Sequence, residues 1–318
     1  MALWTLEFAP TWMRGSRSCL LLSLLPLISA CAEVPLQEAG SLSSYKRLQP
    51  AEDSEFSGRK SRVHVDKAAV LAAKTVLIVP TSFSAAAASA RLSPPDRRLV
   101  ANAVDRSVCI ALSDRFHIVL PPQTADLTVH VTIANIVPTD ETAAAATTVL
   151  DISKTVLTTT GVVETSVPIP SVRVPIGLGG IALEAEAVGP SGRQTAAMLW
   201  AKGARALFGN TTRVSPVGDA YELASSFGDD FSELLVTGED PFSFKLPSLP
   251  YMHRLTSKFG GAPKEAACDA FGRKGVTDMV AGKFGFPPEW TDDGARADQP
   301  VHLAKSSGEP PAERSPLK

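Results

Sequence analysis

The stretch IALEAEAVGPSGRQTAAMLWAKG, residues 181–203, constrains the fold more than any other part of the chain. Ile181, Leu183, Ala185 and Ala187 alternate with Ala182, Glu184 and Glu186, and a period of two puts the two sets on opposite faces of an extended strand. Gly189-Pro190-Ser191-Gly192 follows with turn chemistry: glycine tolerates a positive φ and proline presets a negative one. The pattern predicts a β-hairpin with a core-facing side. Glu184 and Glu186 share the other side, two residues apart, and are read as a solvated face.

The same period recurs upstream. Leu127, Val129, Val131 and Ile133 alternate with Thr128, His130 and Thr132, and the slip at Asn135-Ile136-Val137 predicts a bulge or bend there. KTVLIVP (74–80) and FHIVL (116–120) are shorter β-branched runs, read as strands. Between them Ser93-Pro94-Pro95-Asp96 opens a helix, with Ser at the N-cap, Pro at the first helical position and an acidic residue three positions on. Val100, Ala103, Val104, Ser107, Val108, Ala111 and Leu112 form its inner stripe; Asn102, Asp105, Arg106 and Cys109 fall on the other side. A second amphipathic helix is predicted over about 216–236, with Phe227, Phe231, Leu234 and Leu235 inward and Gly238 just past its end. Residues 140–175 show no clean period and are read as a loop or short helix, then an irregular strand near 162–174. This order of elements predicts an α+β (α/β-like) fold: a mixed or antiparallel sheet with two main helices on one face, plus an irregular C-terminal extension.

The N-terminus carries an address. Arg14 and Arg17 precede the apolar run Cys19–Ala30, which is shorter than the roughly 20 residues of a membrane-spanning helix. Ile28-Ser29-Ala30-Cys31 has the form of a lipobox, an aliphatic residue and two small ones before the cysteine whose thiol is acylated. The expected organisation is a lipoprotein signal peptide over 1–30, a lipid-anchored tether over 31–60, an α+β domain over 61–240 and a C-terminal extension over 241–318, disordered from about 292. A start at Met13 would give a signal of conventional length. Ala32 stands where an Asp commonly retains lipoproteins in the inner membrane, so the outer membrane facing the periplasm is the expected location. Each buried methylene of a lipid chain adds roughly 0.8 kcal/mol, so two or three chains anchor stably.

Signal removal and acylation of Cys31 leave Cys109 and Cys268 in an oxidising compartment, where they form one disulfide or stay as two thiols. The net charge of −2 gives no electrostatic footprint for nucleic acid. No Cys or His cluster has zinc-ligand spacing, and no G-x-S-x-G elbow, P-loop lysine motif or HExxH occurs. The sequence thus names no catalytic residue, metal or cofactor. His130 is read as a solvated strand histidine, and GLGG (177–180) as a flexible entry to the hairpin. In GKFGFPPEWTDDG (282–294), Phe286 and Trp290 set bulky apolar groups in a polar tail; docking on the chain's own domain is favoured, partner binding in extended form the alternative.

Together, Cys31, the segment SLSSYKRLQP (41–50) with Leu42, Tyr45 and Leu48, the strand TVLIVP, the strand LTVHVTIANIVPT and the hairpin IALEAEAVGPSGRQTAAML resemble the bacterial lipoproteins catalogued as domain of unknown function 3313. The resemblance spans about 42–236 and implies no catalytic residues. By element order alone, 74–139 also resembles periplasmic modules of Tol-system and curli-secretion proteins. The expected role is a lipid-anchored periplasmic protein acting through protein interaction or envelope assembly, its partners the membrane and an envelope protein. The alternative is a periplasmic small-ligand carrier or hydrolase using carboxylates distant in sequence; a deep pocket gathering Glu184, Glu186 or His130 would favour it.

Overall fold

In a computed structural model of the chain, residues 32–51, 58–159, 173, 176–206, 212–243, 256–257, 260–292, 294 and 302–303 are described, with backbone alone for 151–159 and 302–303. The order is β1 (Gln49–Pro50), β2 (Arg59–Val65), α1 (Lys67–Ala72), β3 (Thr75–Ile78), β4 (Ser82–Phe83), α2 (Ala85–Ala88), α3 (Pro94–Leu112), β5 (His117–Val119), β6 (Leu127–Val137) and α4 (Glu141–Thr159). After these come β7 (Gly180–Val188), β8 (Gln194–Gly203), α5 (Gly218–Thr237), a 3-10 turn at Ala266–Phe271, α6 (Val276–Lys283), a second 3-10 turn at Pro288–Trp290 and β9 (His302–Leu303).

The hairpin of β7 and β8 forms the middle of one mixed sheet, ordered β1-β2-β8-β7-β6-β3-β5, with β4 beside β6 and β9 beside β4. Pairing is antiparallel from β1 to β6, and β3 then lies parallel to both β6 and β5. The parallel pair β3 and β5 is joined through α3, since a parallel connection needs a crossover. The turn closes as its residues demand: Gly192 takes φ +74°, and the Gly189 amide donates to the Arg193 carbonyl at 2.9 Å. The register of β6 on β7 shifts between Ile133 and Asn135, so the bulge falls at Ala134, one residue before the slip in the pattern.

α3 and α5 pack together on one sheet face. Ser93 and Asp96 exchange the two hydrogen bonds of a capping box at the start of α3, and Gly238 ends α5 in the left-handed conformation. The core joins Val129, Val131, Ile133, Ile181, Leu183, Met198 and Trp200 of the sheet to Val104, Val108, Phe227 and Phe231 of the helices. Trp200 meets Phe227 edge-on at 5.7 Å, and its indole N–H donates to Asp230 at 2.8 Å, so the one polar atom of the largest core side chain is satisfied.

Three expectations change, and a fourth lies outside the described residues. The side of α3 that carries Asn102, Asp105, Arg106 and Cys109 is buried, because the chain after residue 260 packs over Asn102, Arg106 and Cys109 while Thr81 donates to Asp105. The stretch after Thr139 is a 19-residue helix, α4, in place of a loop or short helix; alanine, an excellent helix former, fills its first turns. The strand expected near 162–174 falls outside the described residues except at Arg173. Residues 32–50 form no free tether, for they lie along the sheet face opposite the helices. Among the described residues, no helix is long and apolar enough to cross a membrane.

Candidate functional site

The side of the sheet away from α3 and α5 is covered by the N-terminal strap, residues 32–50. Val34 packs on Ala134, Ala182 and Ala201, while Leu42 and Leu48 pack on Ala197 and Leu199. Small alanines on the strands leave room for an irregular segment, which buries apolar surface at about 25 cal/mol per Å². Gly180 and Gly203 matter here through close approach: a Cβ on either would collide with Val34 or with the Ala32 carbonyl. GLGG therefore ends in a residue chosen for contact, not for flexibility alone.

Glu184 and Glu186 are the grips of this strap. Both are buried, contrary to the solvated face read from their alternation, because the strap closes over them. Glu184 accepts from the Ala39 amide at 2.6 Å, the Ser41 amide at 3.1 Å, the Ser41 hydroxyl and the Tyr45 hydroxyl at 2.8 Å. Glu186 accepts from the Ser43 amide at 2.9 Å, the Ser43 hydroxyl at 2.6 Å and the Gln194 side-chain amide at 2.8 Å. A buried carboxylate is costly unless donors surround it, and the SLSSY run supplies them with both amides and hydroxyls. Burial, with the Glu184 carboxylate beside it, raises the Tyr45 phenol well above its usual range, which keeps it a donor. Both carboxylates are spent on structure. His130 faces Glu186 in the register but is exposed.

The chain after residue 260 forms a cover over the opposite side of α3. Cys109 and Cys268 are joined by a disulfide, with Cα atoms 5.6 Å apart and both residues buried. Arg106 meets Asp292 through two contacts, 2.6 and 3.0 Å, and Arg213 meets Asp278 through two more, 2.9 and 3.0 Å. The Tyr221 hydroxyl lies between, 2.5 Å from Asp292 and 3.2 Å from Asp278. Burial works to raise Asp278, but hydrogen bonds from Arg213 and Thr291 outweigh it and hold the carboxyl below its ordinary value. Planar guanidinium forks opposite carboxylates give direction as well as charge, so this network fixes how the cover sits. Asp292, expected at the start of a disordered tail, is thus a buried member of it; the tail beyond 303 lies outside the described residues.

A cavity of about 440 Å³ opens between α3, α5 and the cover, lined in part by Arg106, Ile110, Tyr221, Glu222, Met279 and Lys283. Its charged walls are largely paired already: Arg213 with Glu222 at 2.8 Å, Arg273 with Asp269 at 2.6 Å. Among the described residues no group of three or more His, Cys, Asp and Glu side chains is placed to hold a metal ion. Phe286 and Trp290 lie on the last turn of the cover, their rings 6.0 Å apart. Between them Pro288 is buried, so the backbone docks on the domain while both rings face outward.

A third polar cluster closes the end of the sheet where β6 stops and β7 starts. Asp219, in the first turn of α5, accepts from Arg173 at 2.6 and 3.1 Å, from the Gly179 amide at 2.8 Å and from the Thr139 hydroxyl at 3.1 Å. At the same end the Ala32 amide donates to the Ala204 carbonyl at 3.0 Å. The residue before Ala32 is Cys31, which lies outside the described residues.

Residues 37–231, which carry the grips of the strap and the sheet hairpin, match the family described as protein of unknown function (DUF3313). The chain belongs to this family. The DUF3313 segment takes in the grips of the strap, the hairpin, all of α3 and α5 as far as residue 231; Cys268, Asp278 and Asp292 of the cover lie beyond it. No curated protein matches the chain. Two solved structures are similar to it, both PelC dodecamers from Paraburkholderia phytofirmans, one carrying a single substitution. They share 8% and 10% identity, cover 59% of this chain and 99% of their own, and give TM-scores of 0.26 and 0.29, a likeness too slight to bear on this chain's role.

Sequence reasoning singled out Leu42, Tyr45 and Leu48 but not Ser41 and Ser43, although two serines flanking an apolar residue, followed by a tyrosine, repeat the two-residue spacing of Glu184 and Glu186. Nothing local could have paired Arg106 with Asp292 or Arg213 with Asp278, which are 186 and 65 positions apart.

Proposed function

We propose that this chain is a lipid-anchored protein of the cell envelope, acylated on Cys31 and facing the periplasm from the outer membrane, and that it acts by binding another envelope protein. The observation that carries the reading is the strap. The lipobox Ile28–Cys31 is followed at once by Ala32, whose amide is bonded to the sheet. An anchor on Cys31 would then hold the folded domain at the membrane surface, without a spacer. The disulfide supports an oxidising compartment, where such bonds persist. Glu184 and Glu186, the two carboxylates singled out for a hydrolase, are engaged in gripping the strap.

The test is direct. Prediction: Cys31→Ser abolishes incorporation of a fatty-acid analogue and moves the protein from the membrane fraction to the soluble periplasm. Unchanged membrane association, with no label in the native chain, refutes the anchor. A small-ligand carrier is the second reading, favoured by the 440 Å³ cavity beside Tyr221, a volume in the range of small-molecule sites.

A further inference from the structure

Large apolar side chains gather at one end of this domain, and the anchor leaves from that same end. Val137 of β6 pairs with Gly180 of β7, and Gly180 with Gly203 of β8, so these three residues mark one edge of the sheet. Ala32 is bonded to Ala204, the residue after Gly203. Consecutive Cα atoms are about 3.8 Å apart, so Ala32 places the start of the chain's path toward an anchor at this edge.

The helical side reaches the same edge by a separate route. The Thr139 amide donates to the Pro216 carbonyl at 2.9 Å, the Val214 amide to the Gly285 carbonyl at 2.9 Å, and the Ser215 hydroxyl to Glu289. The turn 284–290 is therefore fastened beside the ends of β6 and β7. Gly285 in turn lies against Thr148 of α4, and Gly177 against Asp140 and Ala143 at its start.

Six large apolar residues of these segments face outward: Val149 and Leu150 of α4, Ile176, Phe284, Phe286 and Trp290. Ile176 and Trp290 are 67% and 65% exposed, unusual for side chains of this size on a face that meets only water. The backbone beneath the rings is internally satisfied. The amides of Phe284 and Phe286 donate to the Ala281 carbonyl, that of Gly285 to Gly282, and that of Trp290 to Pro287. Rings outward with amides bonded inward suit the boundary of a bilayer, where tryptophan is enriched and free backbone donors are costly.

We propose that this end of the domain docks on the bilayer that holds the Cys31 lipid, with Phe284, Phe286 and Trp290 entering its interfacial layer. The proposal rests on acylation of Cys31. A bilayer is the occupant the geometry selects, because the anchor leaves the fold within one residue of this edge. Docking adds a second attachment to the acyl chains and fixes which face of the domain points into the periplasm.

Trp290 is its own reporter. Processing at Cys31 removes Trp4 and Trp12, leaving Trp290 and the fully buried Trp200. The full chain is purified from membranes, its N-terminal modification read by mass spectrometry, and the protein reconstituted in phosphatidylethanolamine–phosphatidylglycerol vesicles with and without brominated acyl chains. The expected result is loss of Trp290 emission in brominated vesicles; Trp290→Phe, left with Trp200, shows equal emission in both. An acylated chain whose Trp290 is not quenched overturns docking while the anchor stands. The same result with a Trp290-dependent oligomer in light scattering assigns the patch to a second copy and also overturns it. A chain without acylation removes the anchor itself, and this orientation with it.

Discussion

The Glu184→Gln substitution tests whether the strap is held by its carboxylate grips. Glutamine keeps the shape of glutamate but replaces one acceptor oxygen by an NH2 group. In the native site one oxygen takes the Ala39 amide at 2.6 Å and the other takes the Ser41 amide at 3.1 Å. Whichever way the glutamine amide is turned, its NH2 therefore faces one backbone N–H, donor against donor. The Tyr45 hydroxyl can rotate to the oxygen that remains, so it does not rescue the lost amide. An orphaned buried donor costs about 1–3 kcal/mol, and the other bonds lose their charge assistance, for a total of about 3 kcal/mol. Urea unfolding of the purified domain should show that loss in midpoint at constant slope. Hydrogen exchange should show it locally, with the amides of Ala39 and Ser41 losing protection while those of β6 and β7 keep theirs. A variant with the native midpoint and protected Ala39 and Ser41 would mean that Val34, Leu42 and Leu48 hold the strap by themselves, and the reasoning from donor count would fail.

Two further outcomes follow from buried groups. Cys109→Ser opens a link between residues 159 positions apart, worth about 5 kcal/mol if chain entropy dominates; protease should then cut within 260–292 far faster than in the native chain, and equal digestion rates would show that the Arg106–Asp292 and Arg213–Asp278 pairs suffice. Burial pushes Asp105 up to about 7 against its Thr81 hydrogen bonds, and Asp230 up to about 6 against the Trp200 bond. Both folded values exceed the ordinary 3.8, so the native state keeps protons that the unfolded chain releases. Their stabilisation is full below that ordinary value and is lost as pH rises through the folded ones. Between about pH 5 and pH 7 the unfolding free energy read from urea titrations should fall, by roughly 1.4 kcal/mol per pH unit for Asp105, and the midpoint with it. Asp105→Asn should flatten that part of the slope, and a midpoint that rises or stays level over the interval would refute the assignment.

How far the sequence reached is clearest on the hairpin and α3. Period-two alternation, GPSG at the turn and Ser93-Pro94-Pro95-Asp96 at the helix start are local signals, and local sterics and local hydrogen bonds are enough to realise them. The class of fold follows, because an apolar strand face and two amphipathic helices have few ways to bury each other. The family resemblance rests on the hairpin together with Cys31, the segment 41–50 and the strands TVLIVP and LTVHVTIANIVPT. α4 was missed because Ala and Thr give no apolar stripe, although alanine favours a helix at every position.

The faces turned away from the core were another matter. Alternation says that Glu184 and Glu186 point away from the helices; it does not say that a strap from 143 positions upstream will close over one and meet the other. In the same way, the periodicity of α3 separates Arg106 and Cys109 from the inner stripe but cannot foresee that the cover will make a second inside there. Polar residues in a periodic pattern read as solvated because water is the default partner. Only tertiary structure decides whether distant donors replace that water, since a buried charge is tolerable where the chain happens to deliver matching groups and nowhere else.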